Sequence, residues 1–346
     1  KFNGIDRLYN DYSWRLTRRA KAVWESGYVL QGKYLKELEV QVAKKYKRKY
    51  AVGVGSATDG LYFAMKAVGL DKTSTVICPA FSYIATSGAI KRLGSEIHFV
   101  DTDTNGNIGD WHGHGLPDCV LYVNMFGNPA DYNRLRQYCD THRIPLIEDA
   151  AQSQGAMHGK TPSGAMGDVS IFSFDPMKNM PSFGGGGMVL TDSKEIYDRV
   201  LSLRRHGTSG KDKYGYNSLI SEDHANQLLL LIQKFDKLQN MRNKVCKRYY
   251  KNLPEIEILC PTPKTKSSNH KFVILCDRRD ELKAYLETKG VETKIHYSKT
   301  LDNHNVGNYP NAQNICAKAL SLPIYPHLKM EEVDYICDRI KEFVYV

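Results

Sequence analysis

No two of the eight cysteines in this 346-residue chain stand in a Cys-x-x-Cys pair. Cys78, Cys119, Cys139, Cys246, Cys260, Cys276, Cys316 and Cys337 are scattered, which argues against a zinc knuckle or a dense disulfide framework. That usage favours a reducing compartment, the cytoplasm, and no metal site is expected. No run of eighteen apolar residues occurs, so nothing reads as a membrane span and no membrane partner is expected. The opening stretch KFNGIDRLYNDYSW lacks the charged-then-apolar layout of a secretory leader, and its missing methionine reads as trimming. Internal repeats, low-complexity tracts and a helix-turn-helix with a spare basic helix are absent too. The formal charge is +10, from 48 basic and 38 acidic residues, which suits anionic ligands such as nucleotides or acidic sugars. Basic residues are spread out, with a local cluster only at KKYKRKY (44–50), so a nucleic-acid partner is not expected.

What is present is an alternation of strands and helices. LQGKYLKELEVQVAKKY carries Leu35, Leu38, Val42 and Tyr46 at helical spacing. YAVGVGSATDGLYFAMKAVGL runs from a short strand through a turn into a helix. STVICPA, EIHFVD, CVLYVNM, IPLIED, DVSIFSF and GMVLT read as further strands, with SYIATSGAIKRLG and DYNRLRQYCDTHR as helices between some of them. Such βαβ units predict a mostly parallel sheet with helices on both faces and ligands at the carboxyl ends of its strands. A long helical pattern starts near residue 222 and ends before Pro254. The polar stretch TPKTKSSNH (262–270) then reads as a hinge. KFVILC and VETKIHY are expected strands, and RDELKAYLETKG and MEEVDYICDRIKEF expected helices, of a smaller α+β domain. The expected division is 1–240 for the large α/β domain and 241–346 for the small one.

Three features at expected strand ends carry chemistry. GVGSATDGL brings Ser56, Ala57 and Thr58 to a helix start, where unpaired amides and the positive end of the helix attract an anion. Gly53 and Gly55 match two positions of a dinucleotide-binding G-x-G-x-x-G, but Thr58 breaks it. Asp149 closes an apolar strand, where an unpaired carboxylate is costly, so it calls for a cationic partner. Lys178 lies on an irregular connection between a hydrophobic strand and four glycines, Gly184–Gly187. Phe172, Phe174, Met177 and Phe183 would desolvate its amine and lower its pKa, making it a Schiff-base nucleophile. The glycines would let a bulky ligand approach the backbone. An anion cradle, a carboxylate for a pyridinium nitrogen and a nucleophilic lysine are together what pyridoxal phosphate requires.

With those residues in view, the motifs SATDGL, PAFSYIAT, EDAAQSQGA, GAMGD, FSFDPMKN, GGMVLTD, LRRHG, KIHY and LSLPIYP resemble the DegT/StrS family of sugar aminotransferases. The resemblance runs from about residue 27 to 340 and implies the fold-type-I, aspartate-aminotransferase-like architecture. It implies that Lys178 carries the cofactor and shuttles the proton, and that Asp149 pairs with the pyridine nitrogen. Gln152 would lie near the ring hydroxyl and Tyr83 on the ring face. Ala57, Thr58 and Ser173 would hold the phosphate. Asn217 would reach the cofactor phosphate of a neighbouring subunit, making a homodimer with active sites at the interface. His296 and Tyr297 would lie near the sugar, and His206 is a further substrate candidate, although both histidines fit structural roles equally well. The implied reaction moves an amino group from glutamate, through the pyridoxamine form, to a UDP- or dTDP-linked 4-keto-6-deoxyhexose. A 3-keto substrate is the near alternative. Gly185 stands where the family commonly has an acidic residue, and Leu219 where an arginine is common. A nicotinamide-dependent sugar epimerase or dehydrogenase is the rival from another class, and a regulator that kept the fold without catalysis is another.

Overall fold

Short apolar runs bounded by glycine, proline or polar turns form strands, and apolar stripes between them form helices, in this computed structural model. It describes residues 1–113, 115–208, 212, 214–261, 264–302 and 307–344. The first elements are α1 (Ile5–Ser26), α2 (Lys33–Lys45), β1 (Tyr50–Val54), α3 (Ala57–Ala67), β2 (Thr75–Pro79) and α4 (Ile84–Leu93). Then come β3 (Glu96–Val100), β4 (Cys119–Val123), α5 (Tyr132–His142) and β5 (Leu146–Asp149). A small ribbon, β6 (Met157–His158) and β7 (Thr161–Pro162), precedes β8 (Val169–Ser173), β9 (Gly187–Thr191) and α6 (Lys194–Leu203). The long α7 (Glu222–Asn252) leads to β10 (Thr265–Lys266), β11 (Phe272–Leu275) and α8 (Arg279–Thr288). The chain continues through α9 (Pro310–Lys318) and β12 (Ala319–Leu322) to α10 (Met330–Val344).

Seven strands form the central sheet in the order β1-β9-β8-β5-β4-β2-β3. β9 runs antiparallel to both neighbours, and the other neighbouring pairs are parallel. Alternation along the strands fills two cores. Met188 and Leu190 of β9 face α1, α2 and α7, whereas Val189 faces α3 and α6. A smaller unit is built on β11 and β12, paired antiparallel, with α8 and α10. The second half of α7 also belongs to its core, through Val245, Cys246 and Tyr249. A division at 240 therefore falls inside one continuous helix. All eight cysteines are free thiols.

Several elements differ from the sequence reading. VETKIHY makes only an isolated bridge, Lys294 to Ser321, in place of the expected strand. Residues 264–270 do not behave as a loose hinge: Ser267, Ser268 and His270 are buried. Residues 262–263 of that stretch lie outside the described residues. Three helices went unread: α1, α6 and α9.

Next to Asp149, Glu148 points to the opposite face of β5 and is fully buried. Its carboxylate accepts from Asn124 Nδ2 (2.8 Å), Ser163 Oγ (2.7 Å), Ser170 Oγ (2.6 Å) and the amides of Gly164 and Met166 (3.0 Å each). This network ties the 163–166 turn and β4 to the strand end that presents Asp149. Removing it leaves several buried donors without acceptors. Glu148→Ala is expected to lose at least about 3 kcal/mol in urea unfolding followed by tryptophan fluorescence, given about 1–3 kcal/mol per buried unsatisfied group. A loss below about 1 kcal/mol would show that the network is dispensable.

Candidate active site

The register brings the site together. Val54 of β1 and Ser173 of β8 both pair with Gly187 of β9, so the turn after β1 lies beside the end of β8. Across β5, Asp149 pairs with Ile171 of β8 and Val123 of β4. The carboxyl ends of β1, β5 and β8 thus open on one cavity of about 430 Å3, lined by Ala57, Thr58, Tyr83, Asp149, Gln152, Ser173, Lys178, His296 and Tyr297, among others. Nine expected residues meet there.

At the end of the cavity beside β1, Ser56 caps α3 by accepting from the Asp59 amide (3.1 Å). The first-turn amides of Ala57 and Thr58 have no acceptor within the helix. Asp59 is held away by Arg92 (2.7 Å) and by the Ser218 hydroxyl (2.7 Å), so it does not compete for that helix end. Gly187 lies so close that a Cβ there would stand 2.6 Å from the Ala57 amide. Gly186 has a φ of 151°, and a side chain at Gly184 would collide with the His224 ring. Gly185 differs: its nearest neighbour would be the Gly55 carbonyl at 3.4 Å, ordinary contact. Close backbone approach requires glycine at 187 and the backbone conformation favours it at 186, whereas Gly185 leaves room at the position where an acidic residue is common.

Asp149 is buried, and burial raises its pKa. The Ala151 amide (3.1 Å), the Thr86 hydroxyl (2.9 Å) and the charge of Lys178 oppose that rise. Ser82 extends the chain to Thr86 (2.9 Å). Lys178 sits on the turn after β8, its amide donating to the Asp175 carbonyl (2.9 Å). Desolvation lowers its pKa against the pull of Asp149 and Asp175. Met177 lines the cavity as expected, but Phe172 and Phe174 are packed in the core with α1, α2 and α7, with Phe183 against it. The strand's alternation and the loop's turn carry those rings to the other side of the sheet.

Tyr83, at the start of α4, is half exposed, its ring 5.8 Å from that of Tyr297. Gln152 is fixed by accepting from the Phe126 amide (3.1 Å). His296 pairs through Nδ1 with Ser321 Oγ (2.9 Å), and burial beside Lys271 and Lys178 lowers its pKa to about 3, so the imidazole is neutral. His206 and Asn217 do not line the cavity. Both are exposed on the segment after α6, where Asn217 bridges Arg205. Lining residues that the sequence reading missed include Ser82, Thr86, Asp175, His270 and Lys271. His270 closes the stretch read as a hinge, and Lys271 opens the expected strand KFVILC, where a lysine carries no distinct signal.

A larger, more open cleft of about 720 Å3 lies at the other ends of these strands, beside Gly167, Asp168 and Asp192. Three of its four arginines are paired, Arg48 with Asp192, Arg136 with Asp168 and Arg199 with Asp212. It holds no counterpart of the lysine and strand-end carboxylate.

The profile of the DegT/DnrJ/EryC1/StrS aminotransferase family matches residues 13–341. The chain belongs to this family. It is 31% identical to a pleiotropic regulatory protein of Geobacillus stearothermophilus, over 98% of this chain and 97% of that one. It is also 31% identical to a dTDP-3-amino-3,4,6-trideoxy-alpha-D-glucose transaminase of Streptomyces venezuelae, over 93% and 90%. The crystal structure of S. venezuelae DesV in complex with a ketimine intermediate superposes with a TM-score of 0.95 at 28% identity, covering 100% of this chain and 98% of that one. This member of the DegT/DnrJ/EryC1/StrS family is a pyridoxal-phosphate-dependent sugar-nucleotide aminotransferase. The nicotinamide alternative falls with that result, and the topology says why. β1 is an edge strand antiparallel to its neighbour, not the central parallel strand of a dinucleotide-binding sheet. Among the described residues, no helix is long and apolar enough to cross a membrane.

Proposed function

We propose that this aminotransferase moves an amino group from glutamate to C3 of a dTDP- or UDP-linked keto-deoxyhexose. The observation that carries the reading is the joint placement of Lys178, Asp149 and the start of α3 around one cavity. Pyridoxal phosphate, when bound, would supply an electron-accepting ring for the transfer of the amino group. Asp149 would pair with the ring nitrogen, its carboxylate fixed by the Thr86 hydroxyl and Ala151 amide. The amides at the start of α3, with Thr58 and Ser173, would hold the phosphate. Tyr83 would cover the ring, and Gln152 would serve its hydroxyl. Lys178 would carry the cofactor through its amine and move the proton that the transfer requires. His296, neutral, and Tyr297 contact the sugar.

Exposed Tyr28, Val29, Leu30 and Tyr83 suit coverage by a second copy, and Asn217 and His206 would complete the neighbour's site in a homodimer. A biosynthetic enzyme with eight free thiols fits the cytoplasm. The presence of Lys178 and Asp149 around one cavity speaks against a purely regulatory role.

C3 is favoured by the likeness to the dTDP-3-amino-3,4,6-trideoxy-alpha-D-glucose transaminase of S. venezuelae. Amination at C4, the expectation from the sequence, is the other outcome of one assay. Holoenzyme and glutamate are given matched dTDP-linked 3-keto and 4-keto substrates, and NMR locates the carbon that gains nitrogen. Turnover of the 3-keto sugar supports the reading, whereas turnover confined to the 4-keto sugar moves it to C4. Loss of water from either sugar without uptake of nitrogen would refute amination at both.

A further inference from the structure

Lys271 lines the reaction cavity without an ion-pair partner among the described residues. It follows His270, and its amide donates to the Phe126 carbonyl (3.1 Å), which fixes the start of β11 against the cavity. His270 is held by Asn179 Oδ1 (3.0 Å). The Lys271 ammonium lies over the Phe2 ring, 4.9 Å from its centroid, and that ring is 5.7 Å from His296. Phe2 is itself anchored, its amide donating to Glu292 Oε2 (3.0 Å), while Asn3 donates to the Pro176 carbonyl (3.1 Å) beside the lysine turn. Among the described residues, no carboxylate forms an ion pair with Lys271. The charges that act on it most, Lys178 and Arg242, have its own sign, and Asp175 is a weaker, opposing influence. Burial first, then Lys178 and Arg242, lower its amine to about 7. An unpaired, desolvated cation is costly, and an arriving anion offsets that cost.

The chemistry of the two substrates decides which anion. In an amino acid the carboxylate is bonded to the carbon that bears the amine. Wherever that amine is handed over at Lys178, the carboxylate lies beside it. In a nucleotide sugar the diphosphate hangs from C1, across the ring from C3 or C4. Lys271 and Lys178 line the reaction cavity together, and both also line the small pocket beneath the lysine turn, so a cation at Lys271 fits the first geometry better than the second.

We propose that Lys271 anchors a carboxylate of the amino donor and so sets the specificity of the donor half-reaction. This rests on the reading that the donor is an amino acid such as glutamate. The anchor also explains how one cavity serves two unlike substrates. The donor is held by a charge near the lysine, and the sugar by contacts farther out.

The test uses cofactor-loaded enzyme and its Lys271→Met and Lys271→Arg variants, with Lys271→Ala should the methionine variant misfold. Glutarate, an unreactive dicarboxylate, is titrated by calorimetry. Its affinity is expected to fall about tenfold or more in Lys271→Met and to stay within about threefold in Lys271→Arg, the scale of one hydrogen bond to a charged group. In single-turnover experiments, kcat/KM for glutamate is expected to fall about tenfold further than kcat/KM for the amino-sugar nucleotide, chiefly through KM. Unchanged glutarate binding, or no glutarate binding by the wild type, overturns the proposal. So does an equal loss in both half-reactions or a selective loss with the sugar, which would give the lysine to the sugar's own anionic group. If glutarate binding depends on Lys271 while glutamate is inert with the wild type, the anchor stands and the glutamate reading fails. If glutamate reacts equally in all variants, the anchor fails and the glutamate reading stands.

Discussion

Lys178→Ala protein is expected to lose at least about 10⁴-fold in the glutamate half-reaction, the upper end of what a positioned acid–base group contributes. The substitution removes two functions at once. The covalent link to the cofactor disappears, and so does the amine that moves the proton. Cofactor affinity should survive in part, because the amides at the start of α3 and the Asp149 pocket do not depend on Lys178. Added small amines such as ethylamine should restore a fraction of the rate, since the space left by the side chain lies in the reaction cavity. Stopped-flow absorbance of the bound cofactor reads both effects. A rate within about tenfold of the wild type would assign the proton transfer elsewhere, and Lys271, the other lysine of the cavity, would become the candidate.

Asp149→Asn should separate activity from stability. Asparagine keeps the size of the side chain but cannot hold a positive charge on the ring nitrogen. The expected loss in kcat/KM is roughly 10²–10³-fold, the scale of losing one preorganised electrostatic partner. The apoprotein should melt at a higher temperature than wild type, by differential scanning calorimetry at neutral pH. The sign follows from the raised pKa of Asp149. A folded-state carboxyl that holds its proton more tightly than the unfolded one makes stability fall as pH rises from the unfolded to the folded value. Wild-type apoprotein should show that fall, and the asparagine variant should not. An unchanged melting temperature together with full activity would remove Asp149 from its role.

The large unit was legible because its strands are short apolar runs with turns on either side. Tyr50–Val54, Cys119–Val123 and Val169–Ser173 all form where the pattern placed them. The cradle, carboxylate and lysine could be read because each lies next to a strand end, and a parallel sheet gathers such ends on one edge. α1 was legible in principle. Its buried residues Leu8, Tyr12, Leu16, Ala20 and Val23 recur every three or four positions, but charged and polar residues surround them and hide the stripe. The expected strand at 291–297 failed for a different reason. Its alternation is real, yet the segment crosses the cavity mouth with a single bridge to β12, so tertiary placement overrode propensity. Lys271 could not be found by periodicity, because a lysine that opens a strand usually reaches solvent. What turns it inward is the anchoring of residues 267–271. Ser268 donates to the Gln152 carbonyl (3.2 Å), and Asn179 donates to the Ser268 carbonyl (3.1 Å). Those contacts join residues far apart in sequence, and no local pattern announces them.

Borohydride treatment of the yellow holoenzyme, followed by peptide mass spectrometry, puts the account to its most direct trial. Two lysines, Lys178 and Lys271, line the cavity, and burial lowers the pKa of both. Lys178 feels the charge of Asp149, whereas the carboxylate acting on Lys271 is Asp175. The reduced cofactor should therefore be found on the peptide containing Lys178. Finding it on Lys271, or finding no covalent adduct in an active preparation, would contradict the account.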